Sequence, residues 1–224
     1  DLLSAFQAIQ PITLYLRIES SDLKQIVLQI FSVESYQRQY RQHSLWLGVY
    51  FGIMLAMILY NLILFVSLRE LNRLYYLLYL LSMGLLYFVG NGLWWTFFTP
   101  GSHINRVLLL IFMCFAFIWA ILFAKSFLIT RKNAPFFNTL LSVFLIYSIG
   151  LAAIVPLVNS FWVIVGVLSQ SIIIAPVFML AGVVAWRNGF RPARFYLIAF
   201  ATLALSSFYE ALANFGMLPY ITRY

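Results

Sequence analysis

The stretch "AWRNGFRPARFY" (Ala185–Tyr196) gathers three arginines, Arg187, Arg191 and Arg194, directly after a long segment without charge. The 54 residues of Asn133–Trp186 contain no charged side chain. Since about a quarter of the residues of a soluble domain are charged, such a segment cannot form a surface that faces water. The stretch therefore predicts that a chain buried in a lipid bilayer reaches a polar zone abruptly at Arg187.

The composition of the whole chain indicates an all-α polytopic membrane helix bundle. Apolar residues make up 64% of the 224 residues, and charged residues only 9%. A bilayer core about 30 Å thick requires about 20 apolar helical residues per crossing. "IVPLVNSFW" (Ile154–Trp162) divides the long uncharged segment into two spans, and Pro176 should kink the second of these. Six spans are predicted, near residues 45–68, 74–98, 106–128, 136–155, 161–186 and 195–218.

Lysine and arginine are distributed unevenly over the connections between the predicted spans. The connections after the first, third and fifth spans hold Arg69, Arg73, Lys125, Arg131, Lys132, Arg187, Arg191 and Arg194. The opposite connections and the tail hold only Arg106 and Arg223. Because short loops rich in Lys and Arg remain in the cytoplasm, the N-terminus should lie outside. The basic residues are therefore predicted to set topology and to contact anionic lipid headgroups, and nucleic acid is not expected as a partner.

Residues 1–44 differ in pattern from the rest of the chain. "ITLYLRIES" (residues 12–20) alternates apolar and polar side chains, and "QIVLQIF" (residues 25–31) is a second candidate strand after a turn. Two strands alone are marginally stable in water. Residues 1–36 are therefore predicted to be a β hairpin that ends a larger outer β domain, followed by a polar connector over residues 37–44.

Several polar side chains are predicted to lie at membrane depth, where they are expensive and often functional. Thr202, Ser206, Glu210 and Asn214 recur every four residues and mark one face of the sixth span. Gln170, Asn61 and Asn91 are further polar groups of this kind. Glu210 should face protein or water, or be protonated. One interpretation is a ligand pocket or polar switch, and the alternative is hydrogen bonding that holds helices together.

Gly48, Gly52 and Ala56 form a stripe of small residues on the first span. Small residues let helix backbones approach closely. The stripe predicts contact with another helix, either within the bundle or across a homodimer.

Signals of catalysis and of metal binding are missing from the sequence. His43 and His103 are too few and too separated for a metal site, and Cys114 has no cysteine to pair with. No phosphate-binding loop or dinucleotide fingerprint occurs. The sequence therefore predicts no catalytic residue, no metal and no cofactor in this chain.

Residues 47–92, "LGVYFGIMLAMILYNLILFVSLRELNRLYYLLYLLSMGLLYFVGNG", together with "FLITRKNAP" (Phe127–Pro135) and "NGFRPARFYLIAF" (Asn188–Phe200), resemble a known family. It is that of the bacterial seven-transmembrane receptors with diverse intracellular signalling modules. The features that carry the resemblance are Gly48, Tyr50, Gly52, Tyr60, Asn61, Phe65, Tyr75, Tyr76, Tyr79, Asn91 and Gly92. Their order and spacing extend the likeness over about residues 45–220.

The resemblance implies a bacterial inner-membrane receptor with a periplasmic β-sandwich sensor before the first span. It also implies a seventh span and a cytoplasmic output module, neither of which falls within these residues. The expected function is transmembrane signalling in response to a small-molecule or carbohydrate ligand or to a cue within the membrane. The alternative is a transporter or channel with a polar path around Glu210 and the Pro176 break.

Overall fold

A computed structural model describes residues 32–94, 102–157 and 161–214 of the chain. Over these residues all the regular structure is helical. The candidate strands of the predicted hairpin, residues 12–20 and 25–31, lie outside the described residues. The membrane helix bundle predicted from composition is confirmed as an all-helical fold.

Seven helices are described, six of them long. They are α1 (Val33–Leu68), α2 (Leu71–Gly90), α3 (Ser102–Phe127), α4 (Thr130–Asn133), α5 (Pro135–Ile154), α6 (Phe161–Arg187) and α7 (Ala193–Asn214). Of these, α1, α2, α3, α5 and α6 are long and apolar enough to cross a bilayer. The sixth predicted span corresponds to α7, whose described apolar part, Ala193–Thr202, is shorter than a crossing requires. Five helices of the described residues are therefore candidate spans, and a crossing by α7 stays a prediction.

The first helix begins earlier than predicted. α1 starts at Val33, so residues 37–44 continue the first span as helix, and residues 33–36 are helical where the predicted β domain should have ended. Ser32 caps the helix, since its Oγ accepts a hydrogen bond from the Ser35 backbone N–H at 3.3 Å. The segment from Glu34 to Arg41 is rich in Gln, Arg and Glu, which are good helix formers. Its polarity indicated only that it lies outside the hydrocarbon.

The second helix ends eight residues before the predicted end of its span. α2 stops at Gly90, where the Asn91 side-chain amide donates to the Tyr87 carbonyl oxygen at 2.8 Å. Gly92 follows with φ +75°, a conformation that favours glycine. The "NG" pair therefore makes a helix-ending turn within a stretch whose apolar composition suggested one continuous span.

The buried core lies among α3, α5, α6 and α7. One cluster contains Ile121, Ala124, Leu128, Leu141, Ile174, Val177, Phe178, Ala181, Ala185, Ala193 and Tyr196, and a second contains Cys114, Leu151, Val155 and Val167. α6 contributes to both clusters. Apolar side chains exposed on the outside of the bundle need no further partner within the chain, because hydrocarbon surrounds a membrane bundle.

Three connections lie at one end of the bundle, which we call the basic end: residues 69–70, 128–134 and 188–192. Each contains one residue with positive φ, namely Arg69 (52°), Ile129 (47°) and Gly189 (91°). At the last, the Phe190 N–H bonds to the Ala185 carbonyl oxygen at 3.1 Å, and the Gly189 N–H to that of Trp186 at 3.0 Å. This is a Schellman cap, which ends α6 sharply. Arg187 and Arg191 are thus placed on a tight turn.

Candidate functional site

A buried polar pair joins the middle of α5 to the middle of α6. The Gln170 side-chain amide donates a hydrogen bond to Ser148 Oγ, and Ser148 Oγ donates to the Phe144 carbonyl oxygen at 2.8 Å. Gln170 is 1% exposed and Ser148 is fully buried. Of the predicted polar candidates whose side chains are described, Gln170 is the one that is buried and bonded to another helix.

The other end of the Gln170 amide remains unsatisfied. Its Oε1 is buried and has no hydrogen-bond partner in the described part of the chain. If the oxygen and nitrogen of the amide exchanged places, the nitrogen would be the atom without a partner, because Ser148 can bond to only one end of the amide. A buried polar atom without a partner is costly in an apolar surrounding. The pair therefore has an unused bonding capacity inside the bundle.

The α5–α6 interface around the pair is close and locally weakened. A Cβ on Gly166 would lie 2.9 Å from the Tyr147 hydroxyl oxygen and 3.4 Å from Leu151 Cδ2, so the two helices meet without room for a side chain there. Pro176 lies inside α6, six residues beyond Gln170. Proline removes one backbone hydrogen bond from its helix, which makes it a natural bending point. The arrangement can therefore hold α5 and α6 together through the buried Ser148–Gln170 contact beside a bending point, with a longer hydrogen bond from Tyr147 Oη to the Gly166 carbonyl oxygen at 3.4 Å.

Three other polar candidates whose side chains are described, Asn61, Asn91 and Thr202, bond to backbone groups of their own helices. Asn61 and Asn91 donate to backbone carbonyl oxygens of their own helices, those of Met57 and Tyr87, each at 2.8 Å. Thr202 does the same within α7, bonding to the Ile198 carbonyl oxygen at 2.9 Å. The side chains of Ser206, Glu210 and Asn214 lie outside the described residues, although α7 extends to Asn214. The predicted polar face of the sixth span is thus described only at Thr202.

The small-residue stripe meets no other helix among the described residues. A Cβ added at Gly48 or Gly52 would meet nothing within 4 Å, and Ala56 is exposed. α1 instead touches α2 through side chains such as Tyr50 and Tyr87, whose ring centroids lie 5.1 Å apart. Of the two predicted partners for the stripe, a helix of the same bundle is therefore not found in the described chain. A second copy stays a prediction.

The predicted basic residues are exposed on two connections that are joined to each other. Arg131 and Lys132 lie on α4, and Arg187, Arg191 and Arg194 lie at the end of α6, in the turn and at the start of α7. The Asn188 side-chain amide donates to the Asn133 backbone carbonyl oxygen at 2.6 Å. This hydrogen bond links the α6–α7 connection to α4.

Sequence reasoning overlooked Ser148 as the partner of Gln170. A signal existed: Ser148 and Gln170 are each eleven residues from Asn159, in the break between their spans. Residues equidistant from a tight connection lie at equal depth on antiparallel helices. The same rule accounts for Lys125, near the basic end, whose Nζ donates to Ser142 Oγ at 2.6 Å. A further bond overlooked in the sequence is that from Ser126 Oγ to Asn72 Oδ1.

Comparison with known proteins gives one match. The family described as "7TM diverse intracellular signalling" matches residues 43–224, which include every described helix except the first ten residues of α1. No curated protein and no solved structure matches the chain.

Proposed function

The chain belongs to the 7TM diverse intracellular signalling family, and on that premise we propose that it is the sensor and transducer module of a bacterial signalling receptor. In this proposal a periplasmic or in-membrane cue, such as a small molecule or carbohydrate, shifts the bundle between two packings. The shift biases a cytoplasmic output module in cis. The chain itself catalyses no reaction, and any enzymatic step belongs to that module.

The observation that carries the relay is the buried Ser148–Gln170 contact between α5 and α6. Transmission through a packed bundle needs an element with two discrete arrangements. A half-satisfied polar pair beside Pro176 provides one, because a small sliding of α6 can exchange the Ser148 bond for another partner of the amide. A ligand shifts such an equilibrium only by binding one arrangement more tightly than the other.

The sixth span contributes a candidate for that other partner. Two contacts align α6 with α7 as antiparallel neighbours: the Phe178 and Phe200 rings, with centroids 5.3 Å apart, and the close approach of Tyr196 to Gly182. Counting along both helices from these contacts supports a depth for Glu210 within about one turn of that of Gln170. We therefore keep Glu210, with Ser206 and Asn214, as candidate switch residues of this proposal.

The proposed orientation puts the basic end in the cytoplasm and the N-terminus in the periplasm of an inner-membrane receptor. It rests on the asymmetry of Lys and Arg between the two sets of connections. In a Cys114→Ala background, a cysteine in place of Asn188 should resist a membrane-impermeant thiol reagent in intact cells and react after lysis. Strong labelling in intact cells contradicts the orientation.

The relay is tested by measuring output in the receptor that carries this bundle and its output module. Gln170→Leu should change the basal output, since it removes the amide while the side chain stays apolar and fills the site. The matched variant is Ser171→Ala, since Ser171 is the neighbouring residue, is half-buried, and among the described residues bonds to the Leu168 carbonyl oxygen of its own helix at 2.6 Å. Unchanged basal output in Gln170→Leu, at equal protein level, refutes the relay role of the pair.

The alternative function is a transporter or channel. A substrate path needs polar groups and broken helices in the middle of the membrane. The Gln170 Oε1 atom, which has no partner among the described residues, and Pro176 inside α6 favour this alternative. Proteoliposomes that contain the purified chain separate the two functions. Ion or solute flux that Gln170→Leu abolishes supports the alternative, and flux equal to that of empty vesicles supports the receptor.

A further inference from the structure

A hydrogen bond joins two connections of the basic end. Asn188 Nδ2 donates to the Asn133 carbonyl oxygen at 2.6 Å, and Asn133 Nδ2 donates to the Leu128 carbonyl oxygen at 2.8 Å. Arg187 precedes Asn188, and Arg131 is two residues from Asn133. Because neighbouring Cα atoms are about 3.8 Å apart, the extended side chains of these two arginines can meet at one small anion.

Among the described residues, no acidic side chain lies on these two connections. After Glu70, which pairs with Arg73 at 3.0 Å, the chain has one further acidic residue, Glu210. The two connections carry five cations, Arg131, Lys132, Arg187, Arg191 and Arg194, and no carboxylate. Arg194 lies with its guanidinium 4.8 Å from the centroid of the Phe195 ring. Arg131, Lys132 and Arg187 are exposed and lie within two residues of the Asn133–Asn188 hydrogen bond, whereas Arg191 and Arg194, also exposed, lie three and six residues from Asn188.

Exposed aromatic side chains accompany the cations. Trp186, Phe136 and Phe195 are each more than half exposed. Trp186 is adjacent to Arg187, and Phe136 follows α4 by three residues. Aromatic rings beside arginine and lysine are typical of the depth at which headgroups meet acyl chains. A dissolved anion would need only the cations, whereas a lipid also covers the aromatic surface.

From this juxtaposition we infer that Arg131, Lys132 and Arg187 form a preformed site for the phosphate of an anionic lipid headgroup. The guanidinium groups bind phosphate oxygens through paired N–H donors, and the lysine adds a point charge. The Asn188–Asn133 hydrogen bond positions the two sides of the site. The site does not depend on the chain acting as a receptor, so it can hold or fail independently of the proposed function.

Native mass spectrometry of the detergent-solubilised chain, titrated with palmitoyl-oleoyl phosphatidylglycerol, measures the site directly. Arg131→Gln with Arg187→Gln should weaken binding of the first lipid about twenty-five-fold, at about fivefold for each cation near a membrane surface. The matched control is Arg38→Gln with Arg41→Gln, which removes the same charge from two exposed residues of α1 and should change binding less than about twofold. Palmitoyl-oleoyl phosphatidylcholine should bind more weakly to the unaltered chain.

Asn188→Ala tests whether the site is preformed. It keeps every charge and removes the bridge, so binding of phosphatidylglycerol should fall although the net charge is unchanged. If the double variant of Arg131 and Arg187 does not fold, Asn188→Ala still tests whether the site binds the lipid. The inference is overturned if the control on α1 weakens binding as much as the site variant, or if phosphatidylcholine binds as tightly as phosphatidylglycerol. It is also overturned if inorganic phosphate displaces the lipid, or if Asn188→Ala binds the lipid like the unaltered chain.

Discussion

α1 and α6 are both long apolar helices, yet only one of them is built into the core. α1 has 36 residues and buries none of them, whereas α6 has 27 residues and contributes Val167, Gln170, Ile174, Val177, Phe178, Ala181 and Ala185 to the buried interior. Apolar composition therefore identifies a span without identifying its partners. In a bilayer, lipid covers a helix as well as protein does, so the choice of partner depends on shape and on polar groups.

Glycines on the two helices illustrate the difference. On α6, Cβ atoms added at Gly166 and Gly182 would lie 2.9 Å and 2.8 Å from their nearest neighbours, Tyr147 and Leu197. On α1, Gly48 and Gly52 face open space in the described chain. The sequence predicted a helix contact at the α1 glycines because they are spaced four residues apart. Single glycines of α6, each facing a large side chain of a neighbouring helix, make the close contacts instead.

The largest effect is expected at Gly182. Gly182→Val should lower the free energy of unfolding by about 1–3 kcal/mol, because the new side chain overlaps Leu197 Cδ2 and the Tyr196 ring. Thermal unfolding in detergent, followed by circular dichroism, measures it. The control is Gly150→Val on α5, where an added Cβ meets nothing within 4 Å, so that only the difference in helix propensity between glycine and valine remains. Equal losses at both positions mean that α6 and α7 do not pack as described.

A smaller effect is expected at the polar pair. Ser148→Ala should cost about 0.5–2 kcal/mol, since it leaves the buried Gln170 amide without a partner in a membrane-embedded interior. Combining it with Gln170→Leu should restore part of the loss, because neither unpaired group then remains. A double-mutant cycle on unfolding midpoints gives the coupling. Strictly additive losses indicate that the two side chains do not interact.

The smallest effect on the stability of the chain is expected at Gly52. Gly52→Ile should change the unfolding free energy by less than about 0.5 kcal/mol, because nothing lies against this position within the chain. Size-exclusion chromatography with light scattering then tests the remaining prediction for the stripe. A smaller oligomer indicates a dimer face on α1, and an unchanged size indicates that the stripe faces lipid. A loss as large as that of Gly182→Val means that α1 is packed after all.

Much of the fold was predictable, because the bilayer requires long uncharged runs and leaves the charges to the connections. The ends of α6, Phe161 and Arg187, lie within one residue of the ends predicted for the fifth span, since "NSF" and "RNG" are strong helix boundaries. The end of α2 was missed because "GNG" stands inside apolar surroundings. The start of α1 was missed because a polar segment can also be helical.

The candidate site was harder to predict than the spans. Gln170 was recognisable, because an amide at mid-membrane depth needs a partner. Ser148 was not singled out, since a serine within a membrane helix often bonds to a carbonyl of its own helix, as Ser148 also does with Phe144. The second bond, to Gln170, forms only because α5 and α6 face each other. Predicting side-chain hydrogen bonds between helices thus requires knowing how the helices pack, and a hydropathy pattern does not give that.

The central claim is that sliding at the α5–α6 interface relays a signal. Cysteines in place of Ser148 and Gln170, in a Cys114→Ala background, allow an oxidant to join the two helices by a disulfide in the receptor that carries its output module. The account predicts that the oxidised receptor holds a basal output different from that of the reduced one, and that dithiothreitol restores the reduced value. Each single-cysteine variant should not respond to the oxidant. Complete cross-linking with an output equal in the oxidised and reduced states contradicts the account.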